Sequence, residues 1–412
     1  MTDLKQIRVL NVLLHKQPIG VITRLGGDRY LFSFEDSYID NPNRPTLSLS
    51  FKDVNRNLIT SLKAEPGRLP AFFSNILPEG TLRKYLAERA GVKENQEFFL
   101  LAALGADLPG ALTVCPAEPS GYAEELPDTP KNATRQESNI LRFSLAGVQL
   151  KFSAIQNATG GLTIPASGIG GEWIVKLPSY NFPAVAENEF VMLALARAIG
   201  INTPLSRLID TSKIEGLPVE AAALKGKGLA VARFDRSQNG AVHMEDFAQV
   251  FGLWPHDKYK KASYANIAAI LSSADENGAY DFFRRIVFSV LIGNGDMHLK
   301  NWSVLYPDQI HPILSPAYDI LSTVVYFPAE QLSLSFGGSK EMGCITQRQV
   351  EKFAEVASLP SSKLWKQTVD TVDQTVAAWE GLAEKVLLPD ELKNMIEKQI
   401  KGVARRSLPP LY

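Results

Sequence analysis

The chain has 412 residues, 45% of them hydrophobic and 21% charged, and carries a formal net charge of −1. That composition suits a folded soluble protein with core enough for two or three domains, and it gives no overall basic field for binding bare nucleic acid. No stretch reads as a signal peptide, and no run of 18 or more apolar residues reads as a membrane span. The two cysteines, Cys115 and Cys344, lie far apart and outside any C-x-x-C pair, which argues against a disulfide scaffold or a zinc site. The expectation is a cytoplasmic protein with no membrane partner.

In chain order, strand-like alternation comes first, over Ile7–Leu14, Ile19–Thr23 and Arg29–Phe34, with Gly26-Gly27-Asp28 as a hairpin turn. After the apolar run Leu69–Gly80, helical patterns follow at Thr81–Ala90 and Glu94–Leu104, and Leu108–Val114 returns as a strand. Residues 116–138 are rich in proline and polar residues and read as a linker. A second β-rich region has strands at Val148–Ile155, Glu172–Leu177, Leu205–Ile209 and Leu229–Phe234. A helix over Glu187–Ile199 interrupts it, with Phe190, Leu193, Ala194 and Ala198 on one face. Beyond Asp235 the pattern is mostly helical. The expected organisation is an N-terminal β-rich unit (1–115), a linker (116–138), a β-rich lobe (139–236) and a helical lobe (237–412).

The run Asn294-Gly295-Asp296-Met297-His298-Leu299-Lys300-Asn301, followed by Tyr318-Asp319, carries the chemistry. An Asp, an Asn five positions on, and a second Asp after a short hairpin is the order protein kinases use. A hydroxyl acceptor needs a carboxylate to orient it and take its proton, the part assigned to Asp296. Magnesium takes hard oxygen ligands and few carboxylates from the protein, which Asn301 and Asp319 can supply. The bland reading is a polar turn, since Gly, Asp and Asn favour turns anyway. The flanks argue otherwise. Phe282, Phe283, Ile286, Val287, Val290 and Leu291 recur at helical spacing before the loop. A short strand, Trp302–Tyr306, and a return at Pro312–Ser315 follow it.

Upstream, Glu172–Leu177 reads as an alternating strand that ends in a cation, Lys176, suited to phosphates. The helix after it carries Glu189, placed to pair with Lys176. Ser144–Lys151 is a small-residue segment with one glycine and a terminal lysine, weak as a phosphate-loop motif by itself.

These segments in this order resemble the HipA family of bacterial toxin kinases. The resemblance rests on Phe72–Gly80, Ser144–Lys151, Ile174–Pro178, Arg233-Phe234-Asp235-Arg236, the Asp296–Asn301 loop and Tyr318-Asp319, spread over nearly the whole chain. It implies an α+β, two-lobed, protein-kinase-like fold. The N-terminal lobe would be β-rich and include the family's extra N-terminal subdomain, and the C-terminal lobe would be mainly helical. It implies a serine/threonine protein kinase using ATP and Mg2+. Asp296 is then the catalytic base, with Asn301 and Asp319 on the metal. Lys176, His298 and Lys300 lie near the nucleotide, Ala232, Arg233 and Phe234 form the hinge against adenine, and Tyr318 adjoins the site. The loop Leu145–Lys151, with Ala146, Gly147, Val148, Gln149 and Lys151, covers the phosphates. Ser144 matches the family's autophosphorylated serine, whose modification expels that loop. Implied partners are a protein substrate such as an aminoacyl-tRNA synthetase, and a small helix-turn-helix, HipB-like antitoxin through which DNA is reached.

Two departures stand out. Gly295 occupies the place of the kinase arginine before the catalytic Asp, and Leu150 sits where an acidic residue is familiar. Two other readings stay open. One is a small-molecule kinase of the aminoglycoside or choline type, which uses a similar loop. The other is a non-enzymatic co-repressor with a DNA-binding partner. The basic segment Lys398–Arg406 reads as a solvated helix end, with contact to DNA phosphates as the second reading.

Overall fold

The alternating residues near the N-terminus build an antiparallel sheet. A computed structural model describes residues 4–117, 150–157, 160–165, 170–217, 221 and 223–408. Strands β1 (Val9–Leu14), β2 (Gln17–Leu25), β3 (Arg29–Phe34), β4 (Glu65–Pro66) and β5 (Leu112–Pro116) form one sheet in the order β4-β3-β2-β1-β5. Leu10, Val12 and Leu14 of β1 are buried on a shared face, as a period of two requires. Helices α1 (Asp36–Ile39), α2 (Ala71–Ile76), α3 (Gly80–Arg89) and α4 (Glu97–Leu104) lie between β3 and β5. Every residue of α2 is buried, which a six-residue helix achieves only when wedged between larger units. The strand expected at Leu108–Val114 begins later, at Leu112, because Leu108–Gly110 is taken up by contacts with the 233–236 segment. Most of the 116–138 stretch lies outside the described residues.

The second sheet has β6 (Lys151–Gln156), β7 (Leu162–Thr163), β8 (Trp173–Lys176), β9 (Ser206–Asp210), β10 (Ile214–Glu215) and β11 (Lys227–Ala232), in the order β10-β7-β6-β8-β11-β9. Between β8 and β9 runs α5 (Val185–Ala198). The single apolar face expected for this helix is corrected. Ala198 is exposed, while Val191, Met192, Leu195 and Ala196 are buried beside Leu193 and Ala194. The helix is covered on several sides because it packs on the sheet and on the C-terminal helices at once.

A small hairpin, β12 (Arg236–Ser237) and β13 (Gly240–Ala241), leads into a three-stranded sheet of β14 (His243–Asp246), β15 (Ser303–Tyr306) and β16 (Ile313–Leu314). The helices of this part are α6 (Phe247–Val250), α7 (Tyr264–Ala274), α8 (Glu276–Ile292), α9 (Gln347–Ala357), α10 (Ser361–Gly381) and α11 (Asp390–Ser407), with an irregular segment over 315–346. Ser263 and Thr346 form capping boxes with Asn266 and Gln349, which fixes where α7 and α9 begin. All six apolar residues expected on one stripe of α8 are buried. At about 1.5–3 kcal/mol for each buried large side chain, this stripe alone anchors the helix.

Three apolar cores result. The first joins both large sheets, with Phe32, Phe73 and Leu101 in the same cluster as Phe152 and Val175. The second fills the helical lobe around Phe282, Phe283 and Phe353. The third packs α5 and β11 against Phe288, Trp379 and Ile400, and so joins the lobes. Among the described residues no helix is long and apolar enough to cross a membrane.

Candidate active site

Helix α8 delivers the 294–301 loop. It ends at Gly293, in the left-handed region at φ 69°, and a β-carbon there would come within 2.3 Å of Val324. Glycine is therefore required both by conformation and by space. Asn294 N donates to Ser289 O at 2.8 Å and closes the helix end. The chain then turns through Asp296 into a single 3-10 turn, Leu299–Asn301.

Gly295 also has a spatial reason. A β-carbon there would lie 2.5 Å from the Glu330 carboxyl carbon. Thr323 donates to that carboxylate and accepts from Gly295 N at 2.8 Å. Ser333 Oγ and N both donate to Gly295 O, at 2.7 and 2.9 Å. The position that holds arginine in conventional kinases is thus filled by a packed segment from 323 to 333.

Asn301 Nδ2 donates to Asp296 O at 2.7 Å. Since that acceptor is a carbonyl, the amide must present nitrogen to it, and its Oδ1 is left for another partner. Asp296 Oδ1 accepts from Tyr259 OH at 3.1 Å. Burial pushes the Asp296 carboxyl up, against the Tyr259 hydrogen bond and the Lys258 charge. A lightly bonded, half-desolvated carboxylate is suited to accept a proton.

Asp319 follows the β15–β16 hairpin and sits at φ 53°, a left-handed conformation that Asp tolerates better than most residues. Its partners come from the second sheet. Lys151 and Lys176 are directly opposite in the β6–β8 register. Like charges so placed repel unless an anion lies between them. Asp319 Oδ1 pairs with Lys176, and Asp319 Oδ2 lies 3.9 Å from Lys151. Lys176 also pairs with Glu189 of α5 at 2.5 Å.

Burial works against the charge on each of these groups. For Asp319 the lysines win and hold its carboxyl well below the usual range. For Lys176 the carboxylates Asp319 and Glu189 win and push it up. For Lys151 burial prevails and lowers it. For Glu189 burial prevails over Lys176 and raises it, with Asp319 adding in the same direction. Asn188, next to Glu189, exchanges two hydrogen bonds with the Ser322 backbone, at 2.9 and 3.0 Å. Helix α5 is thereby fixed to the chain three residues after Asp319.

Phe234 and Tyr318 meet with ring centroids 5.4 Å apart, beside the end of β11 at Ala232. The Tyr318 hydroxyl is used inside the lobe, paired with Ser303 Oγ at 2.5 Å and donating to Lys300 O at 3.1 Å. The ring of His298 is buried, lies edge-on to Tyr259 and is held neutral, its pKa pushed down to about 3 by burial and then by Lys258.

Two side chains expected at the nucleotide are used elsewhere. The Arg233 guanidinium is buried, forked onto Asp235 at 2.9 and 2.8 Å and 3.3 Å from Asp107. The Lys300 ammonium pairs with Glu79 Oε1 at 2.6 Å and donates to Asn75 O at 2.9 Å. Both cations join the N-terminal unit to the lobes, which the local sequence does not reveal. Ser144, Ala146, Gly147, Val148 and Gln149 lie outside the described residues.

Sequence reasoning missed Glu79, Lys258, Tyr259 and Glu330. Glu79 lies in the quoted Leu77-Pro78-Glu79-Gly80 segment, at the N-cap of α3, but its side chain makes no capping hydrogen bond. An acidic residue at a helix start reads as a cap, so nothing local marked it for a distant partner.

Residues 143–379 match the family model described as HipA-like C-terminal domain, and residues 10–115 match the HipA N-terminal domain. The chain is 49% identical over 391 residues to a putative kinase, Y4dM, of Sinorhizobium fredii, covering 93% of this chain and 94% of that protein. It is 25% identical over 338 residues to the serine/threonine-protein kinase toxin HipA of Shewanella oneidensis, covering 72% of this chain and 73% of that one. The fold matches a chain of the solved complex of Shewanella oneidensis MR-1 HipA, HipB and operator DNA. The TM-score is 0.73 at 22% identity, over 97% of each chain. Two family models that together span most of the chain, and a near-full-length relative at 49% identity, establish that this α+β, kinase-like chain belongs to the HipA family.

Proposed function

We propose that the chain is an ATP- and Mg2+-dependent serine/threonine protein kinase that acts as the toxin of a toxin–antitoxin module. The observation that carries this reading is the cluster of Lys151, Lys176, Glu189 and Asp319 next to the Asp296–Asn301 loop. Two cations face one firmly ionised carboxylate and a second whose charge burial disfavours, which leaves the cluster receptive to phosphates.

The donor set fits MgATP. Among the described residues no cluster of three or more His, Cys, Asp or Glu is arranged to hold a metal by itself. One carboxylate, Asp319, and one amide oxygen, on Asn301, match magnesium that draws its other ligands from phosphate and water. Bound MgATP supplies the phosphoryl group and a divalent charge. Lys176 and Lys151 hold phosphate oxygens, and Phe234 with Tyr318 and Ala232 flanks the base. Asp296 orients the acceptor hydroxyl and takes its proton.

Placement in the HipA family, together with a relative named as a serine/threonine-protein kinase toxin, supports a protein substrate, of which an aminoacyl-tRNA synthetase is the class proposed. A HipB-like helix-turn-helix antitoxin is the proposed partner, with DNA reached through it; the solved relative is a complex with HipB and operator DNA. Ser144 is the proposed site of self-silencing. A phosphate there, at about −1.5 to −2 charge, would repel the nucleotide's own phosphates.

The test is expression without the partner. Wild type should arrest growth and Asp296→Ala should not, and phosphoproteomics after a brief pulse should name the substrate. Equal arrest by both forms overturns the reading. Intact-mass analysis after incubation with MgATP should place a phosphate on Ser144, and a mark found only elsewhere removes that switch.

A further inference from the structure

The N-terminal unit touches the catalytic loop through the Glu79 carboxylate and the Asn75 carbonyl, both on Lys300. Glu79 Oε1 lies 2.6 Å from Lys300 Nζ, and Glu79 Oε2 lies 2.7 Å from Lys258 Nζ. The two lysine side chains are 2% and 10% exposed, so neither charge is solvated by water. The surroundings hold this bridge in place. Asn75 donates to Leu253 O at 2.7 Å, Trp254 Nε1 donates to Leu69 O at 3.1 Å, and Arg68 covers the Trp254 ring at 3.6 Å. Leu299 N donates to Lys258 O at 3.2 Å, tying the lysine segment to the loop itself.

Lys258 precedes Tyr259, whose hydroxyl donates to Asp296 at 3.1 Å. The charged and titratable groups acting on Asp296 include Tyr259, Tyr264, Lys258, Asp319, Glu79 and Glu330. Lys258 is the cation among them, and it sits on a flexible stem. An ammonium deprived of its carboxylate in a buried place is a costly unpaired charge, and re-pairing with another carboxylate relieves that cost. Asp296 already feels the Lys258 charge and is hydrogen-bonded to the next residue, Tyr259, so it is the competing partner. Once paired with Lys258, Asp296 cannot take a proton from an acceptor hydroxyl.

We propose that Glu79 is a positioning residue for phosphoryl transfer, keeping Lys258 off Asp296, so that the N-terminal unit is a working part of the site. This rests on the reading of Asp296 as the base. Burial opposes the Glu79 charge, yet Lys300 and Lys258 hold its carboxyl down to about 2, in keeping with a permanent bridge.

The test uses the full chain with MgATP, following ADP release together with phosphorylation of the chain itself. Glu79→Gln should lower kcat by about 10²-fold, the scale of a misplaced catalytic group, and leave KM for MgATP unchanged. Adding Lys258→Gln to that variant should restore most of the lost kcat, because the competing ammonium is gone. A purely structural role also predicts relief by the double substitution, because no unpaired ammonium is left at Lys258, but only in step with recovery of the melting temperature. Here kcat should fall in Glu79→Gln, and return in the double variant, at a temperature where every variant is fully folded. If Glu79→Gln does not fold, Glu79→Asp serves. It keeps the charge but is one methylene too short to span both ammoniums, and its loss should likewise be relieved by Lys258→Gln. Wild-type kcat in the Glu79 variants, or a loss that Lys258→Gln does not relieve, overturns the proposal. Asp296→Ala, run alongside, separates the two claims. Wild-type turnover in Asp296→Ala removes the base itself, whereas an inactive Asp296→Ala with unrelieved Glu79 variants removes only the role of Glu79.

Discussion

Lys151 and Lys176 stand directly opposite across the β6–β8 ladder, and the Asp319 carboxylate lies between their ammoniums. In this state Asp319 does for the lysines what nucleotide phosphates would do on binding. Its position is set from both sides, by the lysines through charge and by α5 through the Asn188–Ser322 hydrogen bonds, so under the proposed function it would respond to a bound nucleotide.

Asp319→Asn should uncouple nucleotide from metal. Without the carboxylate the two lysines keep more net positive charge, so ATP free of magnesium should bind more tightly than to wild type. Stimulation of binding and turnover by Mg2+ should disappear. Calorimetric titration of ATP with and without Mg2+ checks both halves, and retained magnesium stimulation would move the metal site elsewhere.

Asp296→Ala should lower transfer by about 10²–10⁴-fold, the usual range for a lost general base. The fold should survive, since the side-chain hydrogen bond seen among the described residues is from the half-exposed Tyr259 hydroxyl. Thermal melting should change little, within about 0.5 kcal/mol for a site of this kind. A well-folded variant with normal transfer would take Asp296 out of the mechanism.

Gly295→Arg, which restores the conventional kinase residue, should destabilise rather than activate. Even a β-carbon meets Glu330 at 2.5 Å. Overpacking of this kind costs about 1–3 kcal/mol. Gly295→Ala should show the same effect in smaller measure, and Glu330→Ala should relieve it. A melting temperature unchanged in Gly295→Arg would mean that the 323–333 segment moves aside freely.

Glu245 should make stability fall as pH rises. Burial pushes its carboxyl from the ordinary 4.5 up to about 7, against hydrogen bonds from Ser48, Tyr306 and Leu49 N, with Asp246 adding to the rise. The folded state thus keeps a proton that the unfolded chain releases above about 4.5. The resulting stability is fully present below the unfolded value and is lost between about 4.5 and 7, by about 3 kcal/mol at most. His243 opposes this at the acid end. Burial lowers its pKa to about 4, so stability falls as pH drops from 6.5 toward that value. Urea melts at about pH 5 and pH 7 should show a decline in wild type that is smaller or absent in Glu245→Gln, the His243 contribution being common to both. Parallel declines would assign the pH dependence to other groups.

The sequence by itself determined the parts that local chemistry encodes. The alternation in β1–β3, the six-residue stripe of α8 and the Asp296–Asn301 spacing were legible because strands, helices and loops are set by periods of two, of 3.6 and by turn residues. Glu189 was marked as a partner for Lys176 because protein kinases pair a strand lysine with a glutamate of the helix that follows. Tertiary structure decided what each charge does. Arg233 and Lys300 read as nucleotide contacts, yet their cations are neutralised by Asp107, Asp235 and Glu79 across the joint with the N-terminal unit. Glu79 and Lys258 are separated by 179 residues, and a carboxylate carries no mark in sequence of which distant ammonium will claim it. That choice depends on which surfaces the apolar cores bring together. The burial they impose makes an unpaired charge too costly to leave, so each buried cation takes the carboxylate that packing places within reach.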